Sequence, residues 1–242
     1  MDNDLKLRCR NTLPDTPRWV ETRDLLSWSG SLYMGEDFRN FVVWSEEDDL
    51  GAIVGEPAPK AMHQAVQDCE DVLAFPENIR YVREHLKHIN VEQATLFQAC
   101  AGTIPEPSYP CRWLTREEVT SLSHLQAELR HELADVAAEG KEILAALDGD
   151  LPVAFVYIAS ETETLWDISI DTVETHRRRG FASAAVLTMM RIMTQRSKTA
   201  VWGAVHSNIA SLNLARKLGF IEVDQLWVLN RKLDMPVNAT SG

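Results

Sequence analysis

Basic residues are the first shortage in this sequence: 24 Lys and Arg stand against 36 Asp and Glu, a net charge of −12. That balance excludes a broad nucleic-acid or anionic-membrane surface, since both need excess cation. Cysteine is scarce as well. Cys9, Cys69, Cys100 and Cys111 are scattered and form no C-x-x-C. Four are too few for a disulfide scaffold, so a reduced, cytoplasmic setting is expected. No apolar run nears the roughly 18 residues of a membrane helix, and the opening stretch reads as no targeting segment. No fixed-period repeat, low-complexity tract, Gly-x-Ser-x-Gly elbow or phosphate-binding P-loop occurs. His85 and His88 lie one helical turn apart without further ligands, and His131-Glu-Leu-Ala-Asp135 lacks the second histidine of a zinc-protease motif. No metal is expected.

What is present is ordinary for a folded protein: 242 residues, 45% hydrophobic and 25% charged, enough for one large or two small domains. The first 30 residues hold Pro14, Pro17 and the arginines 8, 10, 18 and 23, and are expected to wrap the surface. Phe41–Trp44 and Ala52–Val54 flank an acidic turn and read as a hairpin. Lys60–Leu73 and Glu77–His88 read as helices and Glu92–Ala99 as a strand. Residues 101–110 carry three prolines, which oppose regular structure. A domain boundary is placed there, separating an N-terminal α/β region (1–105) from a C-terminal domain (111–242).

Beyond the boundary, Thr115-Arg-Glu-Glu118 has the form of a capped helix start, with the helix running to about Asp135 and a further one around Ala137–Glu142. Strands follow at Ile143–Leu147, Pro152–Ser160 and Leu165–Val173, the first two joined by the Asp148-Gly149-Asp150 turn. Gly180–Arg196 is a helix, Thr199–Val205 a strand, Asn208–Leu218 a helix stopped by Gly219, and Val223–Leu233 the last strand. Strands alternating with helices predict an α/β fold.

The chemistry concentrates where a strand ends near Val173 and a loop carries Arg177, Arg178 and Arg179 before Gly180, Ala182 and Ser183 open a helix. A helix start offers unpaired amides and partial positive charge, and small residues let a ligand approach them. A phosphate or pyrophosphate suits such a turn. A solvated basic loop is the plainer alternative.

The spacing Arg177-x-x-Gly180-x-Ala182 resembles the acyl-CoA motif of the GNAT superfamily. A second stretch, Asn208-x-x-Ser211 followed by a helix and Lys217-Leu-Gly-Phe220, resembles that family's later motif, one helix and one strand downstream. The resemblance covers about residues 111–233. It implies a GNAT-like mixed central sheet flanked by helices, with acyl-CoA held between the splayed strands Leu165–Val173 and Thr199–Val205. It assigns the pantetheine arm to the backbone of Ile170, Asp171 and Thr172. The pyrophosphate falls to Arg177, Arg178, Arg179, Gly180, Phe181, Ala182 and Ser183. Asn208 would bond the pantetheine arm, with Ser211 one turn further on. Asn208 is also a good helix N-cap.

The sequence departs from the pattern twice. Ala215 stands where many members place a tyrosine acid, and Gly203 where some place a glutamate base. Asp167 and Asp171, which share a strand face with Ser169, Glu174 and His206 remain as candidates for proton transfer or for holding a cationic acceptor. Each is open to a plainer reading as a solvated or hydrogen-bonded side chain. The expected function is an N-acetyltransferase carrying acetyl from acetyl-CoA to a primary amine, probed against two alternatives: a non-catalytic acyl-CoA-binding regulator and a scaffold. The partners implied are acyl-CoA and a small amine, with no nucleic acid or membrane; a homodimer is compatible with the resemblance. The N-terminal region carries no motif. A degenerate GNAT-like half or a lid over the acceptor are both open for it.

Overall fold

The computed structural model of the chain describes residues 2–35, 37–100 and 102–231. Helix α1 (Asp2–Thr12) leads through a 3-10 turn at Pro17–Trp19 into α2 (Val20–Ser27). Strands β1 (Leu32–Gly35), β2 (Phe41–Ser45) and β3 (Leu50–Val54) follow, then α3 (Pro59–Asp68), β4 (Asp71–Ala74), α4 (Ile79–His85) and β5 (Ile89–Ala99). Past the proline-rich segment come β6 (Cys111–Trp113), α5 (Arg116–Thr120), α6 (Ala127–Ala138), β7 (Ile143–Asp148) and β8 (Leu151–Glu161). Then follow β9 (Leu165–Thr172), α7 (Phe181–Gln195), β10 (Thr199–Val205), α8 (Ile209–Lys217) and β11 (Phe220–Arg231).

Among the described residues eleven strands form one mixed sheet in the order β1-β2-β3-β4-β11-β5-β10-β9-β8-β7-β6. The two parallel pairs, β3 with β4 and β9 with β10, are each joined through a helix, the connection parallel strands require. Strand β5 lies between β10 and β11, antiparallel to both. Residues 1–105 and 111–242 therefore share a sheet. The order β2-β3-α3-β4-α4-β5 recurs as β8-β9-α7-β10-α8-β11, and the last strand of each unit is built into the other.

Strand alternation sends side chains to two cores. Ala154 and Val156 of β8 meet the buried face of α7, which supplies Ala185, Met189 and Met193. Phe155 and Tyr157 point to the opposite side, under α5 and α6. Helix α2 covers that same side further along, with Val20 packed on Leu165 and Val201. Burial of one such aliphatic side chain contributes about 1.5–3 kcal/mol.

Several expectations hold locally: the β2–β3 hairpin, the β7–β8 turn with Gly149 at φ +62°, and the Thr115–Glu118 capping box, made in both directions. Others are corrected. The first 30 residues do more than wrap the surface. They form two helices that bury Cys9, Leu13, Val20, Leu25 and Leu26. Arg23 is itself buried, held by the carbonyls of Arg10 and Leu13 and paired with Glu163 at 2.7 Å. The helix expected to Leu73 stops at Asp68, and Val72 and Leu73 are strand residues paired with β3. The helix expected over Thr115–Asp135 breaks after Thr120, and α6 runs on through Ala137. The last strand starts three residues early, at Phe220; its expected end at Leu233 lies outside the described residues.

Candidate active site

Strands β9 and β10 pair only at Leu165–Thr199, Trp166–Ala200 and Asp167–Val201. Beyond Asp167 they part, while β9 stays paired with β8 as far as Thr172. The inner edge of β9 from Ile168 onward thus faces a gap instead of a neighbour. The gap opens into a cavity of 980 Å³, near the upper end of the usual range for small-molecule sites.

The start of α7 closes one end. Gly180 caps the helix at φ +97° and Arg178 sits at φ +60°. A Cβ on Gly180 would only touch Tyr109 Cε2 at 3.5 Å, so the positive φ, not crowding, calls for glycine. The first helical bond runs from Ala184 N–H to the Gly180 carbonyl at 3.0 Å. The first-turn amides of Phe181, Ala182 and Ser183 precede it, in the position where helices bind anions. Tyr109 fixes the turn by donating to the Arg179 carbonyl at 3.1 Å and packing on Phe181.

The three arginines diverge. Arg179 pairs with Asp148 at 2.9 Å and lies over the Phe181 ring, away from the cavity. Arg177 bonds the Thr172 carbonyl at 3.3 Å and lines the cavity. Arg178 also lines it and, among the described residues, makes no ion pair. Ile170, Asp171 and Thr172 line the gap from β9. Asn208 and Ser211 line it from α8, where the Asn208 side chain accepts from Ser211 N–H at 3.0 Å as an N-cap. Ser211 in turn accepts from Trp202 Nε1 at 2.9 Å. Ala215 is fully buried in the core where α8 packs on β10 and β11, so a tyrosine there would not fit without repacking.

The acidic face of β9 is held by residues from three elements. Glu132 of α6 accepts from Tyr157 Oη at 2.7 Å and shares a hydrogen bond with Asp171. Burial and then the Glu132 charge push the Asp171 carboxyl up to about 7. Asp167 sits at the crotch of the fork. Burial, then the charge of Glu21, raise its carboxyl well above the ordinary range, against the opposing amides of Gly203 and Ile168. Its Oδ1 is out of solvent contact and has no hydrogen-bond partner. His206 lies elsewhere: it is exposed, bonded to Thr95 at 3.1 Å, and lines neither this cavity nor the acidic one behind the fork. Glu174 is exposed and bonded to Gln126. Sequence reasoning missed Glu132 and Tyr157. A tyrosine inside an apolar strand needs a partner for its hydroxyl, and that need was the available signal.

Residues 144–229 match the model of the GNAT acetyltransferase family. No curated protein matches the sequence. Among solved structures, a GCN5-related N-acetyltransferase-like protein from Streptococcus suis aligns with TM-score 0.63 and 15% identity, over 96% of this chain and 98% of that one. A GNAT-family acetyltransferase from Colwellia psychrerythraea aligns at TM-score 0.60 and 9% identity, covering 95% of each chain. A GCN5-related N-acetyltransferase from Kribbella flavida gives 0.59 and 12%, over 88% of this chain and 93% of that one. At such identities these likenesses establish the fold. The family match lies in the half that holds the forked strands, so the chain has a GNAT-like fold and residues 144–229 of it are similar to the GNAT acetyltransferase family.

Proposed function

We propose that the chain is an N-acyltransferase that moves acetyl from acetyl-CoA to a primary amine by direct attack. The observation that carries the reading is the fork: β9 loses its partner after Asp167, and the opened edge leads to the first-turn amides of α7. The backbone of Ile170 and Thr172 supplies strand-like donors and acceptors for a pantetheine arm. The amides of Phe181 to Ser183, with Arg177 and Arg178, supply the charge and donors for a pyrophosphate.

In the reaction the neutral amine attacks the thioester carbonyl. A C–N bond forms, the C–S bond breaks, the amine proton goes to a base, and the thiolate leaves and takes up a proton. Asp171 is the base we assign. With its carboxyl near 7, it is partly ionised at neutral pH and still basic enough to accept a proton. Glu132 and Tyr157 position it. The scarcity of a dedicated acid, with Ala215 buried in the core, keeps a second reading alive, a regulator that binds acyl-CoA without turnover.

The test is acetyl-CoA binding by calorimetry, followed by release of free thiol when amines are added. Binding with thiol release supports the enzyme. Binding without release under any amine supports the regulator, and no binding defeats both.

A further inference from the structure

Beside the fork, four polar side chains from three elements are joined into a hydrogen-bonded circuit that ends between two carboxyl groups. Ser169 and Asp171 point to the same side of β9, and Tyr157 of β8 stands opposite Ser169 in the register. The Ser169 hydroxyl donates to the Tyr157 oxygen. Tyr157 Oη donates to Glu132 Oε1 at 2.7 Å, and Glu132, reaching across from α6, shares a hydrogen bond with Asp171. An ionised carboxylate only accepts, so a bond between two carboxyls requires a proton on one of them.

Three observations aim this pair at the reaction. Glu132 and Asp171 both line the fork cavity, together with Ile170 and Thr172, whose backbone edge is the one assigned to the pantetheine arm. The groups that face Asp171 are Glu132 from α6, Tyr157 from β8 and Arg177 from the turn before α7. Burial and the Glu132 charge raise the Asp171 carboxyl, and Arg177 opposes them, so the two carboxyls titrate as a pair that carries one proton or none through the neutral range. Last, no phenol is free to act as the acid. The tyrosine implied by the sequence resemblance is absent at Ala215, and burial pushes the Tyr157 hydroxyl far above its ordinary range, so it keeps its proton.

We propose that Asp171 and Glu132 act as one proton carrier and that Glu132 is itself a catalytic residue: the proton that Asp171 takes from the attacking amine crosses to Glu132, and Glu132 delivers it to the departing thiolate. This rests on the acyltransfer reading above. The balance closes inside the cavity. The C–N bond forms, the C–S bond breaks, the amine N–H proton becomes the thiol S–H proton, and the pair returns to the doubly ionised state in which it began. A carboxyl near 7 gives its proton readily to a thiolate whose thiol has a pKa of about 8.5. A separate acid is then unnecessary, and α6 acquires a part in the chemistry as the element that carries Glu132.

The test compares the full chain with Glu132→Gln. Glutamine keeps both bonds, donating to Asp171 through its amide and accepting from Tyr157, but it has no proton to pass on. Thiol release with n-butylamine is followed against pH, acetyl-CoA binding by calorimetry, and the carboxyl carbons by carbon-13 NMR titration. The plateau kcat is expected to fall about 30-fold with KM little altered, less than general acid–base catalysis usually supplies because a thiolate is a weak base. The acid limb near pH 7 should move to lower pH, since a like charge has been replaced by a donor. A plateau kcat within about 2-fold of the native value would mean that Glu132 only holds Asp171 in place, and would overturn the proposal while leaving acyltransfer standing. A stationary limb, or a kcat loss matched by lost acetyl-CoA binding, would overturn it too. Tyr157→Phe gives a second reading: it takes a donor from Glu132 and leaves both carboxyls intact, so the limb should move to higher pH, and a limb that stays or falls counts against the pair. If the native chain releases no thiol with any amine, the acyltransfer reading falls and the proton transfer with it. The NMR titration still decides whether the proton is shared: a carboxyl carbon titrating near pH 7, lost in Asp171→Asn and lowered in Glu132→Gln, supports the pair, and its absence ends the proposal.

Discussion

The two repeated units of this molecule start alike and finish differently. In both, a parallel strand pair holds for three register positions and then parts: Leu50–Asp71 to Ala52–Leu73 in the first, Leu165–Thr199 to Val201–Asp167 in the second. In the first unit the opening is filled. Asn78, 1% exposed, donates to the carbonyls of Ile53 at 2.7 Å and Gly55 at 3.0 Å and accepts from Phe75 N–H at 2.8 Å. The helix that follows begins at Pro59 after Glu56-Pro-Ala. Prolines there remove amide donors, and the nearby side chain is an acid. In the second unit the same edge of backbone faces a cavity, and the helix opens on Gly180, Phe181, Ala182 and Ser183 beside arginines. One side chain in the gap and a few residues at a helix start separate a strand pair that could grip a ligand from one that serves only to hold the sheet together.

Gly180→Glu breaks the contrast most severely. It imposes a side chain at φ +97° and a negative charge on the helix start. Acetyl-CoA affinity is expected to fall about 100-fold or more by calorimetry. Ala58→Glu, at the equivalent helix start of the first unit, is exposed and should leave that affinity unchanged. Asp171→Asn comes next: kcat should drop about 100-fold, and the acid limb of the rate profile near pH 7 should vanish, leaving the ionisation of the amine substrate itself. A limb that persists in this variant would remove Asp171 as the base.

Asn78→Ala tests the filled gap. It strands the buried Ile53 carbonyl and Phe75 amide and the half-buried Gly55 carbonyl, and urea denaturation should report a loss of about 2–3 kcal/mol. Unchanged stability would mean that water or a shifted strand replaces the side chain. The smallest effect concerns pH. Burial pushes Asp24 up to about 6 and Glu21 and Asp171 up to about 7 in the folded chain. Carboxyls raised on folding favour the folded state while protonated, so their contribution is full below the ordinary carboxylate range and is lost as pH rises through 6 to 7. Glu118 and Glu163, held down to about 2 by Arg112 and Arg23, act in the opposite sense but only below about pH 4. The urea midpoint should therefore be higher at pH 5.5 than at pH 8, and Glu21→Gln should flatten the trend.

The second unit was legible because its chemistry is local. Gly180, Asn208 and Gly219 each announce a backbone state within a few residues, and the two motifs rest on those states. The acidic face of β9 was legible only in part. Alternation placed Asp167, Ser169 and Asp171 on one face, yet their partners Glu132 and Tyr157 come from other elements, with no spacing to join them. The N-terminal helices were missed for a related reason. Arginines read as surface residues, but Arg23 folds inward to reach two carbonyls and Glu163. Val72 and Leu73 continue an apolar helical pattern, and pairing with β3, far off in sequence, makes them strand. The position of β5 could not be read at all, since strand neighbours are set by tertiary pairing.

That position governs the order in which the molecule can be made. β10 needs β5, and β4 needs β11, whose last residue in the sheet is Arg231. On the ribosome, the first unit must wait with the β4 edge bare until β11 has emerged. Contacts spanning such distances along the chain make folding slow and leave exposed strand edges open to wrong partners. Neither unit is then a domain that matures by itself, and splitting the gene between residues 101 and 110 should yield two fragments that become soluble only when they are synthesised together.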